Sequence, residues 1–421
     1  MGLSSGFKQY LLAEFPDAYA KPTDSVSGDI TIVDAMVILH AFKPDKDSSL
    51  PSAHQLADKF YFMLWESPVG VLCFDDVNNT PRTKEKEWNE RKRSTGACDP
   101  VALESLLEKH ELPSDWDDFV SDRVGRQRLN TYLRDELVKR MRLSRGMASM
   151  QRLYIFNADE TPLEVAWPPP AMGEHEAPYH DDALVVRSRP DWSAPLVGEG
   201  EMCCVRAALL LRDEQTQKVV IQTCDTDAVL IAMLNSFQGL FVQLSHYDRK
   251  QSSLVYALID VHALVEAVQK RLRISVKDFC IVALSKGSDF VSQSVGGIAD
   301  WKKYVDACCS HIKATSPAVA SVTVSGSKRT RVDVGRVDAM LRSLETLNKR
   351  VCCKYETANH LKRLAWNTFY FAHAVSGDAA IAAQLNRLET FGWSERGGIM
   401  QTDDTPAHVR STPTIEMNVH L

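Results

Sequence analysis

Val219-Val220-Ile221-Gln222-Thr223-Cys224-Asp225-Thr226-Asp227 is the stretch on which the reading of this chain turns. A short β-branched apolar run stops at two aspartates one residue apart, and Ala228-Val229-Leu230-Ile231-Ala232-Met233-Leu234 then resumes as an apolar segment. Alone, this is a buried strand followed by an N-capped helix, since Asp is a good cap and an anion is favoured at a helix N-terminus. Three further runs repeat the pattern. Ile30-Thr31-Ile32-Val33 stops at Asp34, and Val69-Gly70-Val71-Leu72-Cys73-Phe74 stops at Asp75 and Asp76. Phe279-Cys280-Ile281-Val282-Ala283-Leu284 passes through Ser285-Lys286-Gly287-Ser288 to Asp289. Continuous runs of this length read as strands buried on both faces. The expected fold is α/β, a mostly parallel central sheet flanked by helices. In such sheets ligands bind beyond the carboxyl ends of the strands. Four strands ending in acids would gather carboxylates on one rim, where two of them about 4 Å apart repel by roughly 4 kcal/mol at an effective dielectric of about 20. Such a rim works against stability and suits hard divalent cations, which take oxygen ligands.

The 421 residues are 44% hydrophobic and 25% charged, a globular composition with room for one large domain carrying an insertion, or for two domains. The formal net charge of −6 does not mark a nucleic-acid binder, but it averages over an acidic site and any basic arms beside it. No run approaches the ~18 apolar residues that would span a bilayer, so no membrane partner is expected. The first residues lack the basic and apolar regions of a secretory signal. Of ten cysteines, Cys203-Cys204, Cys308-Cys309 and Cys352-Cys353 are adjacent pairs, and there is no C-x-x-C. That argues against a structural zinc site and for reduced thiols in a nuclear or cytoplasmic compartment, not a secreted protein.

Along the chain, helical spacing is expected over 7–15, 35–42 and 54–65, ahead of the strand to Asp75. From Asn78 to about Ala194 the character changes to an insertion. Its first part, Arg82 to Arg93, is charged and helix-favouring. A second basic stretch from Arg123 to Arg145 carries Leu129, Tyr132, Leu133, Leu137 and Met141 at helical spacing. A solvated helix face and a phosphate-facing surface both fit it, with Arg128, Lys139 and Arg142 as candidate phosphate contacts. Gly198-Glu199-Gly200-Glu201 opens an apolar helix to Leu211. A strand at 240–244 and helices at 261–272 and 301–309 follow. Residues 311–334 read as linker-like, with 321–334 irregular or exposed, and 335–421 as a helical region ending in a loose tail.

In this order the segments resemble the structure-specific 5′-nuclease superfamily of flap endonucleases and XPG-type enzymes, over residues 1 to about 310. Met1-Gly2-Leu3 looks like the family's N-terminal start, Val33-Asp34-Ala35 like its first aspartate, and Phe74-Asp75-Asp76 like its Phe-Asp-Gly segment. Gly198-Glu199-Gly200-Glu201 looks like Gly-Glu-Ala-Glu, Asp225-Thr226-Asp227 like the paired aspartates, and Gly287-Ser288-Asp289-Phe290 like Gly-Cys/Ser-Asp-Tyr. The resemblance implies a PIN-like core, in parts 1–77 and 196–310, with a helical arch in 78–195 and a degenerate helix–two-turn–helix. It implies two Mg²⁺ ions, with Mn²⁺ as a substitute, on Asp34, Asp75, Glu199, Glu201, Asp225, Asp227 and Asp289. Lys84 and Arg91 are the implied phosphate-contacting catalytic pair, Arg82 and Lys92 their alternates, and Gly2, Gly296 and Gly297 further contacts to nucleic acid. The implied activity is hydrolysis of branched DNA in replication, repair or recombination. An RNA endonuclease on the same fold and a non-catalytic nucleic-acid-binding scaffold are the other readings. Asp76 replaces the usual glycine, Ala299 interrupts the Gly-Ile-Gly turn, and no sliding-clamp sequence is present in the tail.

Overall fold

A computed structural model describes residues 5–20, 28–45, 47–84, 100–144, 150–158, 161–167, 184–212, 218–248, 253–324, 327–344, 352–353, 358–396, 399–402 and 415–419. In chain order the elements are α1 (Ser5–Glu14), β1 (Tyr19–Ala20), β2 (Ile30–Asp34), α2 (Ala35–Ala41), α3 (Ser52–Leu64) and β3 (Val69–Cys73). The insertion gives α4 (Pro100–Glu108), α5 (Trp116–Ser121), α6 (Arg123–Leu143), β4 (Arg152–Phe156), β5 (Leu163–Ala166) and β6 (Val185–Ser188). Next come α7 (Gly200–Leu211), β7 (Val219–Thr223), α8 (Asp227–Leu234), β8 (Leu240–Asp248), β9 (Ser253–Asp260), α9 (Val261–Leu272), α10 (Val276–Leu284) and α11 (Trp301–Ala314).

The large sheet runs β1-β9-β8-β7-β2-β3-β4-β5-β6. Its centre, β8-β7-β2-β3-β4, is parallel, and the strands added at both edges are antiparallel. The fold is α/β, as expected. The alternation along β2 to β4 explains how the sheet divides the interior. Ile30, Ile32, Val71, Cys73, Tyr154 and Phe156 face one hydrophobic core with α7 and α8. Val33, Leu72, Phe74, Leu153 and Ile155 face a second core with α2, α3 and α6. From β2 the chain moves outward to β3 and β4, then returns to the other side of β2 with β7 and β8. The boundary between β2 and β7 is therefore a topological switch point, and the region beyond these strand ends, here called the crevice, is where sheets of this kind bind ligands.

Three expectations need correction. The run Phe279–Leu284 is not a fourth acid-tipped strand but part of helix α10. Ser275 Oγ accepts from Asp278 N at 3.0 Å and donates to the Asp278 carboxylate at 2.7 Å, a reciprocal helix-starting pair. Every side chain from Phe279 to Leu284 is buried, and a helix buried all round shows no periodicity that separates it from a strand. Within the insertion, β4 is a central parallel strand of the core sheet, so the core resumes at Arg152 rather than after 195.

Residues 321–334 are not irregular. Val319–Val324 (β10) and Ser327–Val332 (β11) form a hairpin, and Ile415–Val419 from the expected loose tail adds a third strand. Val and Thr suit a pleated surface, which offsets the Ser, Lys and Arg content that suggested a loop. The hairpin is tied to the core by Asp278, whose buried carboxylate also accepts Ala318 N and Val319 N at 2.8 and 2.9 Å. The helices Val334–Ser343, Ala358–His373 and Ala379–Leu385 follow, and Leu361, Trp366, Phe369 and Tyr370 belong to the same core as α7 and α8.

Candidate metal centre

Asp34 ends β2 and Asp225 follows β7, so both stand at the switch point between these strands. Asp34 is buried and doubly fixed. Its Oδ1 accepts Met36 N at 2.9 Å as the N-cap of α2, and its Oδ2 accepts the Thr223 hydroxyl at 2.9 Å. The Thr223 hydroxyl oxygen also accepts Asp225 N at 3.1 Å, and Asp225 Oδ1 accepts Asp227 N at 2.9 Å. One threonine thus sets the spacing of the acids from two strands. Asp227 lies buried in the first turn of α8, where its charge is favoured.

Asp75, just beyond β3, accepts Gly200 N on Oδ1 at 2.9 Å and faces Arg126 through Oδ2 at 3.5 Å. Glu199 is the N-cap residue of α7 and Glu201 lies in its first turn. Gly200 between them is a steric requirement. A Cβ there would stand 2.7 Å from Asp34 Oδ1 and 3.2 Å from Asp75 Oδ1, inside the space the two carboxylates share. Asp289 arrives from the loop after α10 rather than from a strand. Lys84, on the single turn Arg82–Lys84, is 5% exposed and donates to Glu199 at 2.8 Å and to Asp289 at 3.4 Å. Its ammonium also lies 4.6 Å from the centre of the Phe290 ring.

The electrostatics record an excess of buried negative charge. Burial, then the neighbouring Asp75, pushes Asp34 up to about 7. Burial, then Glu199 and Asp225, raises Glu201 well above the carboxylate range. Burial and Asp289 raise Asp225, although its bond from Asp227 N works the other way. Burial also opposes ionisation of Asp289, but the adjacent positive charge, Lys84 first, holds its carboxyl below the usual value. An all-oxygen donor set in which Asp34, Glu201 and Asp225 are raised, opening on a space that Gly200 keeps clear, fits a hard divalent cation.

Other residues singled out from sequence fare differently. Gly2, Arg91 and Lys92 lie outside the described residues. Arg82 pairs with Glu395 at 3.3 Å. In the basic helix α6, Leu129, Leu133, Leu137 and Met141 are buried as the spacing requires. Most of its cations meet acids of the protein itself: Arg128 meets Glu104 at 2.8 Å, and Lys139 meets Glu136 at 2.8 Å. Arg142 is exposed. Gly296 is buried in a two-residue strand paired with Cys352–Cys353, whereas Gly297, at φ +87°, is exposed. Asp76, in place of the usual glycine, accepts Asn78 N at 2.8 Å and Asn79 Nδ2 at 2.6 Å, capping a turn instead of facing the rim. Sequence reasoning did not single out Thr223, and it read Arg126 as surface although it is 4% exposed and faces Asp75. Helical spacing gave the signal for Arg126, which lies three residues before the buried Leu129.

No protein-family model matches the chain, and no curated protein matches it. Among solved structures, the catalytic core of Rad2 in complex with DNA substrate is similar at 13% identity, over 96% of this chain and 90% of that chain, with a TM-score of 0.34. A likeness that loose carries no argument about this chain. What fold and site define here is an α/β protein with a carboxylate-lined crevice at the switch point of its sheet.

Proposed function

We propose that the chain is a divalent-cation-dependent endonuclease that hydrolyses phosphodiester bonds in branched DNA, incising near the base of a 5′ flap. The reading is supported chiefly by the meeting of Asp34, Asp75, Glu199, Glu201, Asp225 and Asp289 around one crevice, with more buried negative charge than the adjacent cations offset. Those acids together with Asp227 would hold two Mg²⁺ ions, which when bound supply an activated water and stabilise the leaving oxygen of an in-line displacement.

The chain's own residues contribute orientation and counter-charge. Thr223 and Met36 N keep Asp34 turned toward the crevice, and Gly200 N together with Arg126 keeps Asp75 turned toward it. Lys84 carries its charge on a flexible stem, so its ammonium transfers from Glu199 and Asp289 to a phosphoryl oxygen as substrate enters. There it offsets charge developing in the transition state. Arg91 is assigned the same role beside it. The exposed turn at Gly297 offers backbone N–H groups to the duplex strand.

The test is cleavage of a labelled panel, comprising a 5′ flap, nicked duplex, single-stranded DNA and structured RNA, with Mg²⁺ or EDTA, beside Asp225→Ala. Incision at the flap base that needs Mg²⁺ and is lost in the variant is the expected result. Cutting of RNA alone would change the substrate class, and intact binding with no cutting of any substrate would overturn the enzyme.

A further inference from the structure

A second group of metal-capable side chains lies away from the crevice, where the insertion meets the core. His54 stands in the first turn of α3, His110 follows α4, and Glu136 lies on α6. One ligand atom from each lies within 4.8 Å of the other two. The backbone brings them together. Ala53 N donates to His110 O at 3.0 Å and Leu112 N to Ser52 Oγ at 2.9 Å, so the segment after α4 closes the start of α3. Arg140 of α6 reaches His54 O at 3.1 Å and Asp58 at 2.7 Å, fixing the third side.

Two details distinguish this group from an ordinary ion pair, the paired imidazoles and the tyrosine that orients one of them. The two imidazoles lie with ring centres 4.2 Å apart and tilted by 31°, while His54 Nε2 faces Glu136 Oε2 at 3.6 Å. His110, at φ +59°, is the left-handed residue that closes α4: its N–H returns to Leu107 O at 2.9 Å and Glu111 N–H to Leu106 O at 2.9 Å, a Schellman cap that fixes where the imidazole emerges. The Tyr132 hydroxyl meets His110 Nδ1 at 2.9 Å, the kind of outer partner that orients a ligating imidazole, and this leaves Nε2 as its available nitrogen. The Glu136 carboxylate is held by Arg140 at 2.7 Å and Lys139 at 2.8 Å. An ion pair between His54 and Glu136 would not account for the second imidazole beside it.

We propose that His54, His110 and Glu136 form a metal site separate from the crevice, for a borderline late first-row divalent ion, Zn²⁺ foremost, with water as fourth ligand. Two imidazoles and one carboxylate are a zinc donor set, whereas Mg²⁺ prefers oxygen. The absence of C-x-x-C pointed away from structural zinc, but these ligands come from three separate helical segments and form no local motif. Bound there, the ion ties α3, the end of α4 and α6 into one unit, and its binding free energy becomes stability of the insertion against the core. Nothing in this depends on the crevice being catalytic.

The experiment strips the full chain with chelator, adds ZnCl₂ alone, and follows retained metal and thermal unfolding. His54→Gln and His110→Asn are the variants, Asn being chosen because it tolerates the left-handed backbone. One equivalent of zinc should be lost in each variant and kept in Asp225→Ala. Zinc should raise the Tm of the wild type but not of the two histidine variants, and Mg²⁺ should not replace it. X-ray absorption at the zinc edge of the wild type needs no variant, and should show imidazole nitrogens at about 2.0–2.1 Å. Unchanged zinc content in both variants, sulfur ligands in the spectrum, or no zinc retained by the wild type would each overturn the site.

Discussion

The crevice and the flank of α6 both gather acids and nitrogen groups, and they settle their charge in opposite ways. At the crevice the acids come from β2, β3, α7, β7 and the loop after α10, and burial with like-charge neighbours raises Asp34, Glu201 and Asp225. On the flank Glu136 is met by Lys139 and Arg140, which outweigh its burial and lower its pKa. Donor chemistry differs too, oxygen alone in one place and two imidazoles in the other. The two proposals together have one molecule sort two classes of cation, hard ions at the crevice and borderline ions on the flank.

The largest expected effect breaks that comparison if it fails. Asp75→Ala and Asp225→Ala should each lower cleavage by at least about 10²-fold, the scale at which losing one transition-state contact acts. Their circular dichroism and Tm should be preserved or improved, since each removes a carboxylate from a crowded cluster. His54→Gln should leave Mg²⁺-dependent cleavage unchanged. An equal loss from the flank variant would mean that the two regions are one functional unit.

Lys84→Ala comes next. Its single-turnover rate should fall by about 10²-fold with modest loss of substrate affinity, because the ammonium acts on charge that develops late. The same variant removes the crevice's internal counter-ion, so the metal-free protein should melt at a lower temperature and gain more from Mg²⁺ than the wild type. An unchanged single-turnover rate would leave Lys84 a structural counter-ion only.

Gly200→Ala sharpens the geometry with a smaller change. Its methyl group would enter the space between Asp34 and Asp75. Mg²⁺ affinity measured by calorimetry should drop, while zinc retention on the flank stays constant. Equal Mg²⁺ affinity would show that the cation does not sit between these two acids.

How much of this was legible in the sequence follows from what each feature depends on. The strands to Asp34, Asp75 and Thr223 were legible because both faces of each are buried, so each run is mostly apolar, with Thr31 and Gln222 the polar exceptions. The same cue misled at Phe279–Leu284, where burial on all sides erased the period that marks a helix. Strand β4 was missed although Leu153 to Phe156 is as apolar as β3, because it lies inside a charged insertion and ends at no acid. Thr223 was not recognised as the group that orients Asp34, since its role depends on register between β2 and β7. The His54–His110–Glu136 group depends on three long-range packings and has no spacing to read.

The smallest effect tests the opposite electrostatics directly, through the pH dependence of Tm in EDTA. Asp34 in the folded protein keeps its proton up to about 7, whereas in the unfolded chain it loses it near its ordinary 3.8. Between those values the folded state binds more protons, so this group's contribution to stability declines as pH rises from about 4 to about 7. Glu136 has the reverse sign. Its folded pKa lies below its ordinary 4.5, so the stability it contributes is full above that value and is lost as pH falls through the lowered one. Asp34→Asn should therefore flatten the decline on the neutral side and leave the acid limb in place, and Glu136→Gln should do the converse. If both variants changed the same limb, the two regions would not differ in how they hold charge, and the argument for two kinds of cation site would lose its electrostatic basis.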